Sequence, residues 1–541
     1  MTLGTDPLRA LSAPLERLLA SGGDTRLNLD PVTQLNGYGC RPFPRPDAFT
    51  FASSTATSIS GRAYAAAAAA RQSLLRDTAK LGLETAFDRH VEALRSELKH
   101  HLGLADTGCE IVFSPSGTDA QLHALYLARA AMGAPLVSVI AAIDETGSGT
   151  INATTGRHFN ATTAQGVAVA KGEAIAGIAE GVESLAIPLR DYLGTMRPYD
   201  ELDGEITHAI ARSVAAKKRV LLFAMDRSKF GLRSPSLDCL RWISAAAGLD
   251  VQVVIDAAQM RLGRKRMRWY LEQNFIVLIT GSKFFTGAPF SGALLLPPAF
   301  AAQCRAIEEV PAGMRDYTTR SDWPLSLPRL RAALSPQPNL GQWLRWVSAL
   351  EEMRAYFAVP AAFREFALAQ FADVVPRLIS AEDCLHPLLL DDRIADDGED
   401  EDLTARTIFP FFVRRNGRFL AQAEAVRIYR ALNDDISSLL PPTLPAMQRL
   451  LAARRCHIGQ PVAVPDGKGG NRGALRLSAG ARVVSETWQD DILVARENLR
   501  AEYDQIRAII EKIRLLVRHF DDVAPLYDEP RAGAPYRVNA A

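Results

Sequence analysis

Three short segments of this chain carry side chains suited to chemistry. The first is SPSGTDAQ, residues 114–121, which follows the apolar run CEIVF and opens a helical pattern. The start of a helix exposes backbone N–H groups and the positive end of its dipole, which together suit a phosphate. Gly117 permits close backbone approach, and Ser116 and Thr118 add hydroxyl donors; an ordinary capped helix start is the plainer alternative. The second is VQVVIDAAQ, residues 251–259, where Asp256 ends a wholly apolar strand pattern. Open α/β sheets place ligands at that end of a strand, and a carboxylate there needs a cationic or hydrogen-bonding partner. A protonated ring nitrogen would serve, as would a role capping the next helix. The third is TGSK within LITGSKFFTGAPFSGALLLP, residues 278–297, where Lys283 follows another apolar run. Burial lowers a lysine's pKa and makes its amine an effective imine-former. Thr280 and Ser282 can donate to a phosphate, and the Gly- and Pro-containing residues 287–292 let another chain approach closely. A lysine in a surface loop fits poorly between two apolar strands.

These segments need a scaffold, and the surrounding pattern predicts one. The runs CEIVF, LVSVIAA, SLAIPL, RVLLFAM, VQVVID, FIVLIT and GALLL are apolar at nearly every position. That is the signature of strands covered on both faces. With helical segments between them, they predict an α/β fold whose large domain has a doubly wound, mostly parallel sheet from about residue 109 to 297. Helices are expected at 64–81, 84–101, 340–357, 361–378 and 488–519. A strand-like TIFPFFV and a late ALRLS give the C-terminal part an α+β character. The expected division is an N-terminal arm (1–60), a large domain (61–325) and a smaller α+β domain (326–541), which the arm helps to complete. The acidic run at 396–402 reads as a solvated loop.

Composition bounds the partners. The 62 basic and 61 acidic side chains among 541 residues leave a formal charge of +1. Such a balance provides no field for nucleic acid or a membrane surface. The six cysteines are scattered without a CxxC pair, as expected of reduced core thiols in a cytoplasmic protein rather than a disulfide or metal framework. Charges run through the first residues, so no signal core is expected, and no apolar run approaches membrane-spanning length.

Taken together, SGTDAQ, IDAAQ and TGSK resemble the motifs of fold type I enzymes dependent on pyridoxal 5'-phosphate (PLP). The nearest resemblance is to the class V aminotransferase and cysteine desulfurase group, over about residues 50–500. Carried over residue by residue, it implies that Lys283 forms a Schiff base with the cofactor and shuttles protons. It implies that Asp256 pairs with the pyridine nitrogen and Gln259 bonds the ring's 3'-oxygen. Gly117 and Thr118 would hold the phosphate, helped by Ser282, and Ser228, in MDRSKFG, would be a further cofactor contact. Arg476, in ALRLS, would meet a substrate carboxylate, with a surface ion pair as its alternative and Arg482 as a competitor. A homodimer with the cofactor near its interface is implied, with residues 286–291 and 317–321 as candidates to reach the neighbouring site.

The chain departs from the family's pattern in two places. Where an aromatic ring or histidine would stack on the cofactor, this chain reads DETGSGT, residues 144–150, with Thr146 in that position; His158 or Phe159 are substitutes. Residues 152–183 are a surplus that could form an extra loop over the site. The resemblance implies an aminotransferase acting on an amino acid. A lyase cleaving an amino-acid side chain is the alternative, and a non-catalytic binding protein on the same fold the third reading. Neither Cys384 nor Cys456 stands in the small-residue loop of a desulfurase. No metal site is expected.

Overall fold

The computed structural model describes residues 7–246, 248–390, 403 and 405–528; the acidic run at 396–402 lies outside them. The apolar runs all form strands, named here in chain order with the others. These are β1 (Ala48–Phe51), β2 (Glu110–Ser114), β3 (Leu136–Ala141), β4 (Val182–Ile187), β5 (Arg219–Met225), β6 (Val251–Ala257) and β7 (Ile276–Thr280). They continue with β8 (Gly292–Leu296), β9 (Leu385–Pro387), β10 (Ile408–Arg415), β11 (Arg418–Phe419), β12 (Arg455–Pro465) and β13 (Asn471–Ser478).

Seven of them make one sheet in the order β2-β8-β7-β6-β5-β3-β4. Its pairings from β4 to β7 are parallel, whereas β8 runs antiparallel between β7 and β2. Alternate side chains feed two separate cores. On β7, Val277 and Ile279 join the core that holds most of the helices, while Ile276 and Leu278 join the core around helix Gly117–Met132. Coverage on both faces is why these strands are apolar at every position.

The second sheet runs β1-β12-β13-β10-β11, with β9 on β10. Its edge strand β1 comes from the N-terminal arm and pairs in parallel with β12, Ala48 opposite Arg455 and Phe51 opposite Ile458. The helices expected from periodicity are found at Gly61–Leu81, Leu83–His101, Leu340–Ala358, Ala361–Ser380 and Ile492–Arg518. Among the described residues no helix is long and apolar enough to cross a membrane. The six cysteines are free thiols, and among the described residues no cluster of His, Cys, Asp and Glu is placed to hold a metal ion.

Candidate active site

The strands β6 and β7 end side by side, and helix Gly117–Met132 starts above them. Their ends enclose a cavity of about 140 Å³ lined by Ser116, Gly117, Thr118, Asp256, Thr280, Ser282 and Lys283. Three segments, the first more than a hundred residues before the other two, thus meet at one place, at the carboxyl ends of parallel strands. The turn into the helix sits close to the sheet because β8 begins with glycine. A Cβ on Gly292 would lie 2.4 Å from the Ser116 carbonyl oxygen.

Ser116 caps the helix, accepting from the Asp119 N–H at 3.2 Å while its own hydroxyl donates to Asp119 Oδ2 at 2.5 Å. Thr280 donates to the Ala258 carbonyl at 2.6 Å. Asp256 accepts from the Ala258 N–H at 3.1 Å and from Gln121 Nε2 at 3.0 Å. Burial raises its pKa, although the charge of Lys283 opposes the rise. Lys283 is pushed down from the ordinary 10.5 to about 8, first by burial and then by the charges of Arg261 and Arg476, with Asp256 pulling the other way. The amine is therefore a far larger neutral fraction at pH 7 than a solvated lysine's. Two polar atoms of the wall, Gln121 Oε1 and Thr150 Oγ1, are buried without a hydrogen-bond partner. A buried acceptor or hydroxyl left unmade is costly, so each is suited to a bound polar group.

Other residues singled out from the sequence are placed differently. Gln259 does not line the cavity. Its amide donates to the Ser54 carbonyl at 3.1 Å and its side-chain oxygen accepts from Arg261 at 2.5 Å. The reason is the burial of Arg261, whose guanidinium takes acceptors from Gln259, Ser53, Thr407 and Ala479. Ser228 is likewise turned away, its hydroxyl donating to the buried Glu145, which Arg190 also holds. Thr146 binds the Ile143 carbonyl, and Gly147 and Thr150 line the wall in its place. His158 is engaged with the Tyr317 hydroxyl, and Phe159 packs on Tyr317 as well. Residues 152–183 do not line the cavity wall; besides the contacts of His158 and Phe159 with Tyr317, they touch the arm, where Thr25 donates to Asn160. Of the loops expected to face a neighbouring subunit, Pro289, Phe290 and Ser291 line the cavity of their own chain.

Arg476 on β13 lies fully buried beside the cavity. Its guanidinium donates to the carbonyls of Gln460, Lys229 and Ser54 and to the hydroxyl of Thr55, which itself lines the cavity. Every arm of the fork is engaged. Gly459 opposite it on β12 leaves room for this arrangement, since a Cβ there would stand 3.2 Å from Arg476 Nε. Burial lowers its pKa to about 10. Lys229 is lowered to about 8 by burial and by the charges of Arg476 and Lys283. Among the described residues no carboxylate forms an ion pair with Arg476, Arg261 or Lys229, although the charges of Glu145 and Asp144 reach Lys229 and partly offset its shift.

Sequence reasoning missed Arg26 and Tyr38 from the arm, and Gln121, Thr150 and Lys229. Gln121, Thr150 and Lys229 stood inside segments already singled out, SGTDAQ, DETGSGT and MDRSKFG; the arm residues carry no local signal.

No protein-family model matches the sequence, and no curated protein does. Solved structures do match in fold. A C-DES mutant with glycine covalently linked to its PLP cofactor is 14% identical, with 85% of this chain and 97% of that one covered at a TM-score of 0.50. The cysteine desulfurase CsdA from Escherichia coli is 14% identical, covering 87% and 95%, also at 0.50. Oryza sativa TDC, with PLP and tryptamine, is 15% identical, covering 86% and 84%, again at 0.50. The architecture of this chain is therefore that of the fold type I PLP-dependent enzymes, with a resemblance to their class V members.

Proposed function

We propose that this protein is a PLP-dependent enzyme acting on an amino acid. The observation that carries the reading is the convergence of Lys283, Asp256 and the start of helix Gly117–Met132 on one cavity. Those residues fit the group: Lys283 to its aldehyde, Asp256 to its ring nitrogen, and Gly117, Thr118 and Ser282 to its phosphate. Bound there, the cofactor supplies an electron sink for charge developing at the substrate's Cα.

The chain's own residues do the rest. Lys283, with its lowered pKa, can take up and return a proton at Nζ near neutral pH. Asp256, fixed by Gln121 and the Ala258 N–H, presents its carboxyl group on the cavity wall. The cationic side formed by Arg476, Arg261 and Lys229 favours an anionic substrate group such as an α-carboxylate.

For the reaction we propose aminotransfer first. A second reading, a lyase acting on an amino acid, is favoured by the engaged fork of Arg476. A transaminase must hold the carboxylates of two successive substrates in one place, and a guanidinium with no free N–H is poorly suited to that. We further propose a homodimer, testable by light scattering.

The experiment supplies PLP to the purified chain, reduces with borohydride and maps the labelled peptide. Label on the peptide carrying Lys283 is expected; label on another lysine, or none, overturns the reading. Mass spectrometry of products from a panel of amino acids, with and without keto acids, then separates the reactions. Turnover that requires a keto acid means aminotransfer, and turnover without one means a lyase.

A further inference from the structure

The phosphate end of the cavity has a wall that comes from outside the sheet. Arg26 of the N-terminal arm lines it. Its Nη2 donates to Ser116 Oγ at 3.2 Å and its Nη1 to Thr118 Oγ1 at 3.4 Å, the two hydroxyls that flank the helix start. Asp24 grips the fork at Nε, at 2.9 Å and 3.0 Å, and at Nη2, at 2.5 Å, and Nη1 also reaches the Tyr38 hydroxyl at 3.5 Å. The ring of Phe290 lies under the guanidinium, 4.7 Å from centroid to Cζ. The fork is thus held flat, and its long contacts to the Ser116, Thr118 and Tyr38 hydroxyls, at 3.2–3.5 Å, are the ones a phosphate oxygen would replace, whereas Arg476 is bound to carbonyls and a hydroxyl mostly at 2.8–3.1 Å.

The charges around it make this cation necessary. Asp24 and Asp119 both lie at this end, and Asp119 is pushed up to about 7 by burial and by the charge of Asp24. A dianion placed beside them is unfavourable unless a guanidinium stands between. The arm that carries Arg26 is seated firmly. Buried Arg345 donates to the carbonyls of Leu19 at 3.1 Å, Gly22 at 2.8 Å and Phe290 at 2.6 Å, and to that of Ser21. It fastens the arm to the same loop that supplies the ring under Arg26.

We propose that Arg26 is a direct ligand of the cofactor's phosphate, so that the arm forms the outer wall of the phosphate site and is held down by an occupied one. The inference rests on the cavity being a PLP site, and the test separates the two. The full chain and its Arg26→Gln and Arg26→Lys variants are titrated with PLP and with pyridoxal, which lacks the phosphate. Arg26→Gln should weaken PLP about 10–100-fold, as expected for losing a hydrogen bond to a charged group, and leave pyridoxal within about 2-fold; Arg26→Lys should fall between. Tryptic cleavage after Arg26 in the unmutated chain provides a readout that needs no variant. PLP and inorganic phosphate should slow it, and pyridoxal should not. Equal weakening of PLP and pyridoxal, no weakening of PLP, or cleavage indifferent to phosphate each overturns the proposal. If PLP never reaches Lys283 in the unmutated chain, the reading of the cavity falls and this inference falls with it.

Discussion

The two ends of the cavity would meet an anion in opposite ways. At the end proposed for the phosphate the donors are a helix start, hydroxyls and one arm cation, and carboxylates sit close by. Recognition there depends on directed hydrogen bonds. At the other end Arg476 and Arg261 have their forks filled by carbonyls and hydroxyls, with Lys229 beside them and, among the described residues, no ion pair to a carboxylate. That end offers a field more than a set of contacts. The difference teaches that a buried guanidinium near a site need not be a clamp. It can lower the pKa of its neighbours and hold backbone in place while its N–H groups are fully engaged.

The largest effect should come from the residue between the two ends. Lys283→Ala should reduce turnover by about 10³-fold or more, and borohydride should leave the chain unlabelled; retained turnover would mean that another amine does the work. Asp256→Asn comes next. Turnover should fall roughly 10²-fold, with PLP still bound. The carboxylate raises the Lys283 pKa, so the variant's amine should titrate below about 8, which the pH dependence of its reductive labelling reads. An unchanged titration would detach Asp256 from Lys283.

Arg476→Met sharpens the contrast between field and fork. It strands the carbonyls of Gln460, Ser54 and Lys229, and chemical denaturation should show a loss of about 2–4 kcal/mol. The amino-acid KM should also rise, while PLP affinity holds. A raised KM with unchanged stability would show instead that the fork is free to leave its carbonyls and clamp the substrate.

Lys229→Met should have the smallest effect, and its sign is opposite. In the cofactor-free chain Lys229 titrates near 8 instead of the ordinary 10.5. Between those values the unfolded chain holds a proton that the folded chain does not, so stability climbs with pH through that window, and below it the folded state carries the whole penalty. Removing the amine should stabilise the chain by about 1–2 kcal/mol at pH 7, allowing for partial solvent access, with the gain fading toward pH 10.5. Thermal melts across pH 7–10.5 measure this, and a variant less stable at pH 7 would refute the crowded-cation picture.

Lys283, Asp256 and the Ser116–Thr118 turn were legible in the sequence because each lies at the end of a local pattern. A run apolar at every position makes a strand covered on both faces, and the residue after it must emerge where such sheets bind ligands. The large sheet and the main helices followed from the same periodicities. What the sequence alone left open is set by contacts between distant residues. β1 joins β12 across some four hundred positions, and the arm that carries it brings Arg26 and Tyr38 to the cavity. No spacing rule encodes that approach, because it depends on where Arg345 holds the arm. Gln259 and Ser228 stood at the right positions in their motifs, yet a buried guanidinium and a buried carboxylate took their hydrogen bonds. Sequence determined which backbone positions reach the cavity. Only the tertiary structure decided which of their polar groups remain available in it, because a buried charge recruits whatever acceptor or donor lies within reach.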